Sequence, residues 1–94
     1  MKVLTVGYNK FCGSYWVANS PDPQVRRIDT KALGKTLDLL VSTVIKRRKL
    51  FLYVDQDMPA SDIGLMKNAL ADFKGKVQYK TFEKKLERYT GEIK

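Results

Sequence analysis

The apolar residues of this chain change their spacing several times, and each change marks an element of secondary structure. Between residues 31 and 47 they recur every three or four positions, the period that gathers side chains on one face of an α-helix. Asp29 or Thr30 is expected to cap this helix, because a short side-chain oxygen accepts a bond from an unpaired backbone N–H. The stripe consists of Leu33, Leu37, Leu40, Val41 and Val44.

A continuous apolar run follows at residues 50–54. Such a run is typical of a strand that is covered on both faces, so we predict the central strand of a sheet. Beyond Pro59, Ser61 or Asp62 is expected to cap a second helix, and Gly75 is expected to end it. The apolar stripe of this second helix is Met66, Ala69, Leu70 and Phe73.

Alternation of apolar and polar residues predicts the remaining strands. Residues 2–8 alternate, residues 15–18 are aromatic and β-branched, and a turn signal stands between them, which indicates a β-hairpin. Residues 77–82 alternate as well, with Val77 and Tyr79 on one side. A helix between two strands usually leads to a parallel neighbour, so this last strand is expected to pair in parallel with residues 50–55.

Together these elements predict a fold of the α+β (mixed α/β) class. An N-terminal hairpin precedes a helix-strand-helix-strand unit, giving one mixed sheet of four or five strands with the two helices mainly on one face. Residues 24–29 are expected to be a short edge strand or the approach to the first helix. The chain is expected to form a single domain, 1–94, with one core, in which residues 84–94 are a short helix or a frayed tail.

The composition favours a partner of negative charge. Eighteen lysines and arginines oppose ten acidic residues, giving a net charge of +8 and a pI near 9.7, so polyanions are the first partners to consider. The sequence shows neither a signal peptide nor a membrane span. Its single cysteine, Cys12, excludes an internal disulfide, favours a cytoplasmic location, and is expected to be an inert, buried side chain.

Short basic runs are the candidate binding features. Four consecutive cations stand between the first helix and the following strand, and more cations interleave with aromatics near the C-terminus. The plainer alternatives are a solvated helix end that complements the macrodipole and a charged edge that blocks unwanted strand pairing. The candidate nucleic-acid-binding residues are Arg26, Arg27, Lys46, Arg47, Arg48, Lys49, Lys80, Lys84 and Lys85.

Two further motifs are weaker candidates for a functional site. Asp55 and Asp57 follow the predicted central strand, where paired carboxylates can hold Mg²⁺, although aspartates are also ordinary turn residues before a helix. Gly34, Lys35 and Thr36 match the end of a phosphate-binding P-loop, but Asp29 stands where the opening glycine belongs and the helical pattern includes Lys35. No cofactor is expected.

The leading hypothesis is a small basic nucleic-acid-binding module that contacts the phosphate backbone with little sequence specificity. The alternative is a protein-binding inhibitor or adaptor that docks on an acidic partner through the same cations, with Trp16 and exposed tyrosines as anchors. A third hypothesis is a Mg²⁺-dependent phosphodiester enzyme using Asp55 and Asp57. Because the sequence lacks zinc-ligand spacing, a histidine and a glycine-rich nucleotide loop, a binding module is preferred to an enzyme.

Overall fold

The protein is seen in a computed structural model that describes residues 2–19 and 27–82. This part of the chain holds five strands and two α-helices. The elements are β1 (Lys2–Asn9), β2 (Ser14–Ala18), β3 (Arg27–Asp29), α1 (Leu33–Arg47), β4 (Leu50–Asp55), α2 (Ala60–Ala69) and β5 (Val77–Phe82), with a short 3₁₀ helix at Ala71–Phe73 between the last two.

The strands form one mixed sheet in the order β3-β2-β1-β4-β5. β1 pairs antiparallel with β2, and β2 pairs antiparallel with β3. β4 lies between β1 and β5 and is parallel to both. The predicted hairpin, the interior position of residues 50–55 and their parallel pairing with the last strand are therefore confirmed, while β1 rather than β4 occupies the middle of the sheet.

One face of the sheet carries the hydrophobic core. The parallel register places Leu4 beside Leu52 and Val6 beside Val54, and all four are buried. Buried residues of both helices pack into the same cluster, among them Leu40, Val44 and Met66. Each buried aliphatic side chain of this kind stabilises the fold by about 1.5–3 kcal/mol. The α+β architecture, with its helices on the sheet, agrees with the sequence prediction.

The opposite face of the sheet carries half-buried aromatic side chains. Because paired residues share a face, Phe51 and Tyr53 of β4 lie on the side away from the helix-packed cluster, and both are half-buried. The prediction that the strand at residues 50–54 is covered on both faces was wrong, because the helices pack on one face and the strand's side chains on the other face are only half-buried. We call this side the open face. Neither helix packs on it, although Thr5, Gly7, Ala18 and Asp55 are buried there. Its residues are Val3, Thr5, Gly7, Trp16, Ala18, Arg27, Asp29, Phe51, Tyr53, Asp55, Gln78, Lys80 and Phe82.

The first helix begins without the predicted cap. Its N-cap residue is Ala32, and no side chain caps the free N–H groups. Asp29 belongs to β3, and its carboxylate accepts the Lys31 N–H at 3.1 Å. The Thr30 hydroxyl instead pairs with the buried Thr36 hydroxyl at 2.7 Å. Other nearby hydrogen bonds therefore use both of the side chains that the sequence offered as caps.

The second helix also differs from the prediction at both ends. Pro59 is its N-cap residue, again without a side-chain cap, because Asp62 accepts a hydrogen bond from the Tyr15 hydroxyl. The helix ends at Ala69 rather than at Gly75. Gly75 has a φ of 85° and lies in the turn before β5, so its left-handed conformation serves the entry into this strand rather than the end of α2.

Some predictions fall partly outside the described ranges. Arg27–Asp29 is an edge strand, as one of the two readings of residues 24–29 proposed, whereas residues 24–26 and 84–94 lie outside the described part of the chain. Within residues 2–19 and 27–82, no helix is long and apolar enough to cross a membrane.

Gly7 lets the indole of Trp16 lie flat on the open face. The two residues are cross-strand partners, and a Cβ atom at Gly7 would overlap the six-membered ring of Trp16. The guanidinium of Arg27 lies over the other side of this indole, 4.1 Å from the ring centroid. Glycine is thus required here for close approach and not for an unusual backbone angle.

We expect Gly7→Ala to displace Trp16 and to lower the free energy of unfolding by about 1–3 kcal/mol, as overpacking usually does. Urea denaturation and the emission maximum of the single tryptophan measure both effects. Gly64→Ala is the control, because nothing lies within 4 Å of a Cβ there and alanine favours its helix. Unchanged stability and emission in Gly7→Ala would contradict the packing described here.

Candidate nucleic-acid interface

The amino ends of the three parallel strands bring distant cations together. The Lys2 N–H donates to the Lys49 carbonyl at 3.4 Å, and the Leu50 N–H donates to the Lys76 carbonyl at 2.8 Å. Three lysines that are far apart in sequence thus begin neighbouring strands. Helix α1 ends at the same edge, immediately before β4. We call this group the basic edge: Lys2, Lys46, Arg47, Arg48, Lys49 and Lys76.

The end of α1 fixes the backbone at the centre of the basic edge. Lys46 and Arg47 lie in its last turn, where positive charge is favoured by the helix dipole. Arg48 is the C-cap residue with a φ of 68°, and its N–H donates to the Val44 carbonyl at 2.8 Å. A non-glycine residue in this left-handed conformation costs about 1–2 kcal/mol. The sequence keeps an arginine where glycine is the usual choice.

The charge of the basic edge is not neutralised by neighbouring acids. Lys46, Arg47, Arg48, Lys49 and Lys76 are exposed. Within the described ranges no carboxylate is ion-paired with them, and the acidic residue nearest in the chain is Asp72 in the 3₁₀ helix before β5. Unpaired surface cations act over about one Debye length, roughly 8 Å at physiological salt. The edge therefore presents a continuous positive potential to solvent.

The other predicted site residues do not join the basic edge. Arg27 and Lys80 lie on the open face, on β3 and β5 at the two sides of the sheet. The register places them at the ends of one cross-strand row, Arg27-Ala18-Thr5-Tyr53-Lys80. Arg26, Lys84 and Lys85 lie outside the described residues. The predicted cations thus divide into an edge group and a face group.

The aspartates after β4 lie at the opposite, carboxyl edge of the parallel strands. Asp55 is fully buried, and its two oxygens accept the N–H groups of Tyr8 and Asp57 at 2.8 and 2.9 Å. The carboxylate therefore joins the end of β1 to the turn that leads into α2. In the part of the chain that the structure describes, no three histidine, cysteine or acidic side chains are grouped as metal ligands.

A second carboxylate near this edge holds α2 against the sheet. The Tyr15 ring is buried beside Tyr8, with 4.9 Å between the ring centroids, and its hydroxyl donates to Asp62 in the first turn of α2. Burial raises the pKa of the Tyr15 phenol well above its ordinary value, and the hydrogen bond and negative charge of Asp62 raise this pKa further. The contact is structural, since it fastens the hairpin to the second helix.

The two remaining sequence motifs have ordinary structural roles. Gly34, Lys35 and Thr36 lie inside α1, as the helical pattern predicted, and Thr36 is buried with its hydroxyl donating to the Ala32 carbonyl at 3.0 Å. Cys12 was expected to be buried but is exposed in the β1–β2 turn, where its sulfur lies 3.1 Å from the Ser14 hydroxyl.

Sequence reasoning missed Lys2 and Lys76 as members of the basic edge. Lys2 is isolated in the sequence and Lys76 belongs to the separate C-terminal series of cations, so only the parallel pairing of β1, β4 and β5 brings them beside Lys49. It also missed that Phe51 and Tyr53 are only half-buried. Here a signal was present, because aliphatic residues alternate with aromatic ones along β4.

Comparison of the chain with protein-family models, with curated proteins and with solved structures found no match.

Two glycine substitutions that remove the same charge from the basic edge should have opposite effects on the free energy of unfolding of the protein. We expect Arg48→Gly to raise the free energy of unfolding by about 0.5–1 kcal/mol, because glycine adopts a positive φ without strain. Arg47→Gly removes the same charge from inside the helix and should lower that free energy by about 1 kcal/mol. Urea denaturation measures both. Equal destabilisation of the two variants would contradict the left-handed conformation of residue 48.

The buried phenol of Tyr15 predicts a loss of stability at alkaline pH. Above about pH 10 the unfolded chain releases the Tyr15 proton while the folded protein keeps it, so the free energy of unfolding falls as the pH rises. Tyr15→Phe should cost about 1.5–3 kcal/mol at neutral pH, through the lost bond to Asp62, and should flatten the alkaline decline. Urea denaturation across this pH range measures the slopes, and parallel profiles would contradict the expectation.

Proposed function

We propose that this protein binds nucleic acid through phosphate contacts made by the basic edge. The observation that carries the proposal is the convergence of Lys2, Lys49 and Lys76 with the cationic end of α1. Helix capping accounts for Lys46 and Arg47, but it does not account for lysines at the starts of three neighbouring strands. Nucleic acids present the dense, regular negative charge that such a surface complements.

The chemistry of the edge suits the phosphate backbone rather than base recognition. Lysine is a compact point charge on a flexible stem, and arginine can bind a phosphate through two parallel N–H bonds. The basic edge offers no helix face or strand pair of suitable length for reading bases in a groove. Contacts of this kind position a protein on its ligand without reading sequence, so the proposed binding is weakly sequence-specific.

The proposal also includes a cytoplasmic location, which the exposed free thiol of Cys12 suits, because a reducing compartment keeps such a thiol reduced.

The alternative partner is an acidic protein, which the same cations would attract. Phosphate binding is preferred because cations dominate this edge and the large apolar side chain exposed beside them, Ile45, is aliphatic, whereas protein interfaces are built around buried aromatic anchors.

Binding of labelled single-stranded and duplex oligonucleotides across a salt series tests the proposal. We expect log affinity to fall linearly with log salt, with a slope that corresponds to roughly four or more neutralised phosphates. Arg47→Glu combined with Arg48→Glu should weaken binding and reduce the magnitude of the slope by about 1.5–2, because two contacts are lost.

The matched control is Lys10→Glu combined with Lys35→Glu. It changes the net charge by the same amount at the other end of the sheet, where the β1–β2 turn and the start of α1 meet through the bond from the Tyr15 N–H to the Lys31 carbonyl. An equal loss in both double variants would show that net charge, and not the basic edge, governs binding. Absence of binding to every oligonucleotide at low salt would overturn the proposal and favour an acidic protein partner.

A further inference from the structure

On the open face, two aromatic rings of β4 lie beside a polar and a cationic side chain of β5. Along β4, Phe51 and Tyr53 both point to this face, and their ring centroids are 5.1 Å apart. On the neighbouring β5, Gln78 is the partner of Phe51 and Lys80 is the partner of Tyr53. A row of rings therefore runs beside a row of polar and cationic side chains. At the amino ends of the same two strands stand Lys49 and Lys76 of the basic edge.

These rings are outside the hydrophobic core. The core cluster is formed by the helix-facing residues and the two helices, and neither Phe51 nor Tyr53 belongs to it. Both rings are half-buried, while Lys80 is exposed. A large aromatic side chain that is left partly in water on an interior strand offers a flat surface with which another ring can stack.

We propose that the open face binds single-stranded nucleic acid, with bases stacked on Phe51 and Tyr53 and phosphates held by Lys80 and the adjacent basic edge. This inference rests on the proposed function and names its ligand. Stacking on aromatic side chains beside cations is the general means by which proteins bind unpaired strands with little regard to sequence. The charge of the neighbouring lysines complements the phosphates that would accompany the stacked bases.

The spacing of the strand favours an unpaired ligand over a duplex. The ring centroids of Phe51 and Tyr53 are 5.1 Å apart, about one and a half times the 3.4 Å rise per nucleotide of a duplex strand. Successive bases that follow β4 are therefore pulled apart from one another and stack on protein rings instead. A duplex keeps its bases stacked on each other and presents only its backbone.

Trp16 provides a built-in reporter of this face. Its indole lies over Gly7 on β1, the strand next to β4, and it is the only tryptophan in the chain. A base stacked on the open face should quench its fluorescence. A base-free polyanion such as inorganic polyphosphate neutralises the basic edge without stacking and should leave the fluorescence of Trp16 largely unchanged.

The test uses labelled oligothymidylate with the full chain and with variants at position 53. Tyr53→Val should weaken binding by about tenfold or more, as loss of a stacked base does, whereas Tyr53→Phe keeps the ring and should bind as the wild type does. Phe51→Val serves as a second ring deletion if Tyr53→Val does not fold. Oligothymidylate should quench Trp16, and polyphosphate should not.

Tyr79→Val is the matched control. Tyr79 is the partner of Leu52 on the helix-facing side, is 36% exposed, and also lies beside a lysine, with Lys67 Nζ 5.5 Å from its ring centroid. The same substitution there should not change affinity for oligothymidylate.

Salt-dependent binding that is unaffected by Tyr53→Val and Phe51→Val, without quenching of Trp16, would overturn this inference while leaving phosphate binding at the basic edge intact. Loss of all binding to oligothymidylate at low salt would overturn both proposals. Sedimentation that shows a stable dimer, disrupted by Tyr53→Val, would also overturn the inference, because a second copy would then occupy the face.

Discussion

The parallel pairing of β4 between β1 and β5 is the constraint on which the rest of this structure depends. It joins segments almost fifty residues apart in the chain and places Leu4 and Val6 beside Leu52 and Val54 in the core. Such non-local pairing has a high entropic cost before any contact forms, and the burial of this aliphatic layer against both helices offsets it. The same register decides which side chains are left on the opposite face.

The two candidate binding surfaces are consequences of that register. With Leu50, Leu52 and Val54 directed into the core, Phe51 and Tyr53 must face away from the helices. All three parallel strands begin at one edge of the sheet. Lys2 is the first residue of β1, and Lys49 and Lys76 immediately precede β4 and β5, so the three lysines become neighbours. The register that forms the core therefore also places the cations of the basic edge and leaves the rings of Phe51 and Tyr53 on the open face.

Two carboxylates near the other edge of the sheet serve the fold. Asp55 is buried and accepts two backbone N–H bonds, and Asp62 accepts the Tyr15 hydroxyl. A buried carboxylate is tolerated when its oxygens are hydrogen-bonded in this way. Using these acids for structure leaves the basic edge without ion-pairing partners among the described residues, which increases the positive potential there.

The sequence by itself determined the elements, their order and the fold class, because hydrophobic spacing along the chain reports which face of each element is buried. It also located the cationic run at residues 46–49, which is contiguous in sequence. The helix caps were not predicted correctly, since Asp62 bonds to the distant Tyr15, while Asp29 and Thr30 bond to Lys31 and Thr36 instead of capping the first helix. Only the tertiary structure decided that the core covers one face of β4 and that Lys2 and Lys76 complete the basic edge. Strand register creates these proximities between residues that are distant in the chain, and no local pattern encodes them.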